Sequence, residues 1–232
     1  MRDDDVLGDA FRWLNDPLVW QGSRGVLART VEHLGMAGAA VALAALVALP
    51  LGIWLGHRNR GGSWLIPVTN TTLALPTLAL LMIFASTGVG FGNRPTVIAL
   101  AIFAAPPILA NSWTALREVD GAVRDAARGM GMSGARALAR VELPLALPLV
   151  SAGLRTASVQ VVASVSLAAF VGGGGLGRFL VDGFATRRYG QVLAAAVLIA
   201  VLCLLVEAVL AVGQRLLTPV PLRTGRGAVA RS

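Results

Sequence analysis

The sequence predicts an all-α polytopic membrane protein with about five transmembrane helices, its amino end outside and its carboxyl end in the cytoplasm. The first observation is composition: 56% of the 232 residues are hydrophobic and the mean hydropathy is +0.72, outside the ordinary range of soluble globular domains. The second is that uncharged runs long enough to cross a bilayer, about 20 residues as helix, alternate with short charged segments. The third is the placement of arginine. Arg58, Arg60, Arg117, Arg124, Arg128, Arg136, Arg140, Arg215, Arg223, Arg226 and Arg231 collect in segments that the positive-inside rule assigns to the cytoplasm. The intervening segments hold fewer cations or offset them with aspartate.

All 20 basic residues are arginine, and the net charge is +8. In so apolar a chain that excess addresses the membrane surface and not nucleic acid. The absence of lysine has a mechanistic consequence, because a Walker A phosphate loop needs one on the nucleotide phosphates. If ATP drives this protein, another subunit hydrolyses it. The single cysteine, Cys203, lies in an apolar run, which excludes an intrachain disulfide and a cysteine metal cluster.

Residues 1–29 mix Asp3, Asp4, Asp5, Asp9 and Asp16 with Arg2, Arg12, Arg24 and Arg29, and lack the basic lead and apolar core of a signal peptide. They form either an external amphipathic lead-in with Trp13 and Trp20 at headgroup level, or a polar tail. The first span covers residues 33–56, with Gly35, Gly38, Ala39, Ala42 and Ala45 along one side for close helix packing. A basic turn with Arg58 and Arg60 follows in the cytoplasm. The second span, 64–87, contains Pro67 and Pro76, with Asn70, Thr72 and Thr77 near the latter. Pro76 marks either a broken helix lining a transport pathway or a packing kink whose freed carbonyl Thr72 satisfies.

Residues 88–94 read as an external loop and 96–116 as the third span, broken in mid-membrane by Pro106 and Pro107. Asn111, one turn beyond, either lines the route or makes an interhelical hydrogen bond. The fourth span, 147–170, carries Arg155, which either snorkels to the cytoplasmic face or gates. Gln160 and Ser164 belong to a polar stripe in that span that must face protein or a water-filled cavity. The glycine run at 172–177 lacks the Lys-Ser/Thr of a phosphate loop and reads as a tight external re-entrant turn where the backbone approaches a partner. Phe179, Phe184 and Tyr189 form either an aromatic belt or a cation-π site for a quaternary ammonium. The fifth span, 191–212, is interrupted only by Glu207, a proton relay or the ion-pair partner of Arg215. Residues 213–232 form a basic cytoplasmic tail.

The longest charge-rich stretch between apolar ones is 117–146. Val123, Ala126, Ala127 and Met130 recur at i, i+3, i+4, i+7 and give a short helix one apolar stripe, with Arg124, Asp125 and Arg128 on its other faces. Gly129 and Gly131 permit a change of direction, Ser133 can cap a second short helix, and Pro144 with Pro148 limits its continuation.

Asp125-Ala126-Ala127, then Gly131, then Val141-Glu142-Leu143-Pro144 resembles the "EAA" loop of binding-protein-dependent ABC importer permeases, with Asp125 for the usual Glu and Val141 for the usual Ile. The neighbouring stretches 127–132, 152–157 and 168–177 are similar to the osmoprotectant branch, whose solutes are glycine betaine, carnitine and choline. The resemblance runs from residue 33 to about residue 211. It implies the type I ABC importer transmembrane-domain fold over residues 30–212, with 117–146 as the cytoplasmic coupling loop. Arg124, Asp125, Ala126, Ala127, Gly129, Met130, Gly131, Leu143 and Pro144 would then serve ATPase coupling, and Asn70, Thr72, Pro76, Thr77, Asn111, Gln160 and Ser164 would line the pathway. The implied partners are cytoplasmic ABC ATPase subunits, a separate external solute-binding protein, and a second permease copy or sister permease. The implied location is the bacterial cytoplasmic membrane, multi-pass. The chain itself would bind no cofactor, ATP and Mg being used by the ATPase.

Other functions fit less well. A permease for another small solute such as an amino acid remains open. A secondary transporter would need intramembrane ion sites or inverted repeats, whereas only Arg155 and Glu207 are charged within spans. A membrane enzyme would need a catalytic set, and His33 and His57 flank the first span without a dyad partner.

Overall fold

The computed structural model describes residues 5–61, 65, 67, 69 and 76–217, and every regular element among them is helical. The chain begins with α1, Val6–Asn15, and α2, Pro17–Trp20, capped by Asp5 and Asp16, which accept from the Gly8 and Leu18 amides at 2.9 Å. The amino-terminal segment is therefore helical and not a polar tail. Its tryptophans are engaged by the chain itself: the Trp13 ring meets Phe179 edge-on at 5.2 Å, and Trp20 Nε1 donates to the Leu14 carbonyl at 2.7 Å. Leu7, Phe11 and Leu18 are the large apolar side chains left exposed on this segment.

Five helices follow among the described residues: α3, Val26–His57; α4, Thr77–Ala85; α5, Asn93–Arg117; α6, Gly121–Gly129; α7, Gly134–Ala137. A π-turn over Leu138–Glu142 leads into α8, Leu143–Val165, and a 3₁₀ turn over Ser166–Val171 ends it. Last come α9, Gly177–Ala185, and α10, Tyr189–Leu217. Among the described residues, Val26–His57, Asn93–Arg117, Gly134–Val171 and Tyr189–Leu216 are long and apolar enough to cross a membrane. Within the expected span at 64–87, residues 64, 66, 68 and 70–75 lie outside the described residues, Asn70 and Thr72 among them. Pro76 precedes α4 with an extended backbone, ψ 118°, and α4 begins at Thr77. The expected break at Pro106 and Pro107 does not occur, since α5 passes through both.

Two compact bodies partition the chain. One comprises Met1–Ala44, Leu73–Ala104 and Ser158–Val206; the other comprises Ala45–Thr72, Ala105–Ala157 and Glu207–Ser232. In the first, Leu81, Ala85, Ala99 and Val171 form a buried cluster joined by Leu80, Phe84 and Leu167. In the second, Ala115, Leu116 and Ala146 are covered by Ile53, Leu143, Leu149 and Val150.

The inward face of α3 differs from the expected one. His33, Met36, Ala37, Ala40, Ala44 and Ala48 are buried, while Gly35, Gly38, Ala39 and Ala42 are exposed. Lipid and protein interior are equally apolar, so hydropathy alone does not separate the faces of a spanning helix. The glycines that permit close packing lie lower on α3. A Cβ at Gly52 would sit 2.8 Å from the Leu109 carbonyl oxygen, and one at Gly56 would sit 2.7 Å from Leu116 Cβ.

Candidate functional site

The segment between α5 and α8 is built as a capped helix on a buried carboxylate. Asp120 caps α6 by accepting from the Ala122 amide at 2.9 Å. The other end closes with Gly131 in the left-handed region, φ +78°. The Gly131 amide donates to the Arg128 carbonyl at 2.8 Å and the Met132 amide to that of Ala127 at 3.1 Å, the paired bonds of a Schellman closure. Gly131 thus makes the turn, whereas Gly129 is an ordinary helical residue with open space around it.

The apolar stripe divides. Val123, Ala126 and Met130 are exposed, with Met130 70% accessible, while Ala127 is 1% accessible and packs against its own chain. Ala127 is therefore corrected from the outward surface to the seat of the helix. A stripe at i, i+3, i+4, i+7 subtends enough of the circumference for one member to be claimed from the inside. Asp125 and Arg128 pair at 3.6 Å on the exposed side.

The second short helix is also corrected. Ser133 stands at the N-cap position of α7 but makes no side-chain cap bond, and α7 continues through the π-turn into α8 across both Pro144 and Pro148. Leu143 packs on the Ala115, Leu116 and Ala146 cluster, and Pro144 is exposed. The Pro148 carbonyl accepts from Gln214 Nε2 at 2.8 Å.

Glu142 stands within the motif quoted above but was given no role there. Its side chain is 4% exposed, yet its Oε2 accepts a hydrogen bond from His57 Nδ1 at 2.9 Å and lies 3.7 Å from Arg124. Arg124 also donates to the Leu116 carbonyl at the end of α5. The Glu142 carboxylate and the Arg124 guanidinium together therefore tie the ends of α3 and α5 to α6 and to the start of α8. Nearby, Trp113 Nε1 donates to the Arg60 carbonyl at 2.8 Å and pins the basic turn, which Asn59 opens with φ 55°. The signal available in the sequence was a histidine ending an uncharged span and a glutamate within an apolar sequence, each of which needs a partner.

A cavity of about 1070 Å³ adjoins α6, lined among others by Glu118, Asp120, Val123, Leu145, Arg155 and Gln214. Arg155 pairs with Glu207 at 3.4 Å, each side chain about one-third to two-fifths exposed at 33% and 41%. The two charges within spans thus neutralise each other.

Of the expected pathway residues, Asn111 donates to the Pro107 carbonyl of its own helix at 2.8 Å and packs where a Cβ on Gly153 would lie 2.4 Å from Asn111 Cβ. Its hydrogen bond is intrahelical and not interhelical. Pro76 is exposed and Thr77 half-buried. Gln160 and Ser164, also half-buried, share a face of α8, and Gln160 Oε1 is buried with no hydrogen-bond partner among the described residues.

The glycine run serves its own chain. Gly174 N donates to Asn93 Oδ1 and Gly175 N to Glu32 Oε2, both at 2.9 Å, and Leu176 N to His33 Nδ1 at 3.3 Å. His33 donates from Nε2 to the Val162 carbonyl at 2.7 Å, which fixes its tautomer. Arg29 and Asn93 complete the shell of Glu32, at 2.7 and 3.1 Å. A Cβ on Gly174 would fall 1.8 Å from Glu32 Oε1, so the backbone approaches where only glycine fits. The expected partner of this turn is therefore Glu32, Asn93 and His33. Phe179 packs edge-on against Trp13.

Comparison with known proteins supplies the wider setting. Residues 48–218 match the model of the family described as binding-protein-dependent transport system inner membrane component. The choline transport system permease protein OpuBB of Bacillus subtilis is 37% identical over 194 residues, 84% of this chain and 89% of the relative. The glycine betaine/carnitine/choline transport system permease protein OpuCB of the same organism is 35% identical over the same shares. Among solved structures, an inward-facing MetNI methionine ABC transporter chain superposes with a TM-score of 0.72, covering 88% of this chain and 100% of that one at 23% identity.

Proposed function

The chain belongs to the binding-protein-dependent transport system inner membrane components, and from that premise we propose that it carries an osmoprotectant of the choline, glycine betaine and carnitine class into the bacterial cytoplasm. Members of this family are transmembrane subunits of ABC transporters, and the fold is that of type I importer permeases. The chain is thus a multi-pass membrane permease that works with an ATPase and a binding protein. The observation that carries the solute class is the likeness, over 84% of the chain, to permeases named for choline and for glycine betaine, carnitine and choline.

In this function α6 projects into the cytoplasm with the amino end of the chain outside, and an ATPase subunit receives Val123, Ala126 and Met130 beside the Asp125–Arg128 pair. ATP and Mg are bound by that subunit. Nucleotide-driven closure shifts the preferred position of α6, and the rigid helices attached to it convert the shift into alternating access. A second copy or a sister permease completes the pathway. Pro76, Thr77, Asn111, Gln160 and Ser164 contribute to it, together with Asn70 and Thr72. The unpartnered Gln160 Oε1 supports that role for its face of α8, since a buried acceptor there is satisfied by water or solute.

The test is uptake into proteoliposomes containing the permease with its ATPase, using labelled choline, glycine betaine, carnitine and proline presented by the binding protein. ATP-dependent uptake of a quaternary ammonium is the expected result. Uptake that survives ATP removal but stops with an uncoupler identifies a secondary transporter instead, and ATP-dependent uptake of an amino acid alone overturns the solute class.

A further inference from the structure

We propose that Glu142, held by His57 and Arg124, is the positioning residue through which movement of α6 reaches the helices on either side of it; this rests on the transport function proposed above. Surface complementarity between α6 and an ATPase explains docking but not transmission, because a short helix joined by turns can rock without moving what it is attached to. Transmission needs a stiff side-chain link from α6 to the spanning helices. The described residues contain one such link that is buried and charged. Glu142 Oε2 is 2.9 Å from His57 Nδ1 at the end of α3 and 3.7 Å from Arg124 of α6, and Arg124 also donates to the Leu116 carbonyl at the end of α5. Glu142 itself stands at the head of α8. Four segments therefore converge on one guanidinium and one carboxylate.

The link is also incompletely closed. A charge-assisted bond between guanidinium and carboxylate settles near 2.7–2.9 Å, whereas Arg124 stands at 3.7 Å and its Nε is buried with no hydrogen-bond partner among the described residues. Arg124 is shared between the Leu116 carbonyl and Glu142, and a displacement of α6 on the order of 1 Å would shift it from one to the other. A buried group set between two competing acceptors is suited to turn a small movement at a docking site into a change of partner. The alternative is a staple that only holds the loop in place. The two differ in what a conservative change does to an assembled complex. A staple alters how much complex forms; a transmitting joint alters how strongly one end of the complex responds to the other.

The experiment compares Glu142→Gln, Glu142→Asp, His57→Gln and the exchange His57→Glu with Glu142→His, each in the full permease–ATPase complex in proteoliposomes. The readout is ATP hydrolysis with solute-loaded binding protein divided by hydrolysis without it, per assembled complex, alongside solute uptake. Glu142→Gln and His57→Gln are expected to lower the ratio by about fivefold or more, the range of ordinary allosteric coupling. Glu142→Asp is expected to keep part of it, and the exchange to recover more than either of its single changes. A ratio within about twofold of the unaltered protein in assembled His57→Gln complexes, with losses confined to the amount assembled, overturns the proposal. If Glu142→Gln does not assemble, His57→Gln decides the matter. Absence of stimulation in the unaltered complex fails the transport function itself, which separates that failure from failure of the joint.

Discussion

Two glycines, two residues apart, are predicted to respond to alanine with opposite sign. Gly131 holds φ +78° with no atom within 4 Å of a built Cβ, so alanine there meets no obstacle and its whole cost is the left-handed backbone. That cost is about 1–2 kcal/mol for a residue with a Cβ. Gly129 is helical with equally open surroundings, so alanine there gains helix propensity, up to about 1 kcal/mol. The two variants should differ by about 1–3 kcal/mol in the local stability of α6, which is about fivefold to a hundredfold in an opening equilibrium at about 1.4 kcal/mol per tenfold. Amide hydrogen exchange of residues 122–132, measured by mass spectrometry on the purified permease, reads that equilibrium. Protection should fall in Gly131→Ala and hold or rise in Gly129→Ala. Gly131→Asn should lie between, because asparagine tolerates the left-handed region. Equal protection in both alanine variants would refute the closure drawn here, and an asparagine as damaging as alanine would show that side-chain size and not backbone conformation decides.

Three further outcomes follow from other parts of the molecule. In a Cys203→Ser background, Ser133→Cys should react with a membrane-impermeant thiol reagent only from the cytoplasmic side, since Ser133 is exposed beside α6; reaction in intact cells overturns the orientation. Gly174→Ala should lower the thermal midpoint, because its Cβ would fall 1.8 Å from Glu32 Oε1, and adding Glu32→Ala should recover part of the loss; an unchanged midpoint refutes the close approach. Replacing both Arg155 and Glu207 by leucine should cost less than the sum of the two single replacements, with coupling of about 1 kcal/mol or more; strict additivity in a thermal-stability cycle would mean that the 3.4 Å pair contributes nothing.

Four of the expected spans and the exposed helix α6 were legible because each depends on a one-dimensional signal. An uncharged run of sufficient length has one stable state in lipid, and the Val123, Ala126 and Met130 spacing has one helical face. The rest depended on three-dimensional closure. The inward face of α3 was misassigned because small residues at Gly35 and Gly38 and at Ala40 and Ala44 are equivalent to lipid, and only contact geometry separates them. Arg155 and Glu207 lie in different helices, so their pairing had no sequence distance to betray it. The glycine run was recognised as a site of close approach, but nothing local says that the approaching group is Glu32. The Pro144 signal misled most directly, since a proline that usually limits a helix is here carried within one.

That proline also accounts for the burial of Glu142. Along an α-helix, inward positions recur every three or four residues. From Ala137 the next buried residue is Glu142, a step of five, and from Glu142 the next is Ala146, a step of four. The long step coincides with the π-turn over Leu138–Glu142, where the Leu143 amide donates to the Leu138 carbonyl five residues back. Pro144 has no amide hydrogen to close an α turn onto Arg140, so widening the preceding turn costs little there. One additional residue in the turn rotates everything after it by about 100°. In an uninterrupted α-helix Val141 would take the inward position and the carboxylate of Glu142 would swing away from His57 and Arg124. Pro144 and Glu142 are therefore one device: the proline admits the irregular turn, and the turn aims a charged side chain into a place that hydrophobic periodicity would have assigned to valine.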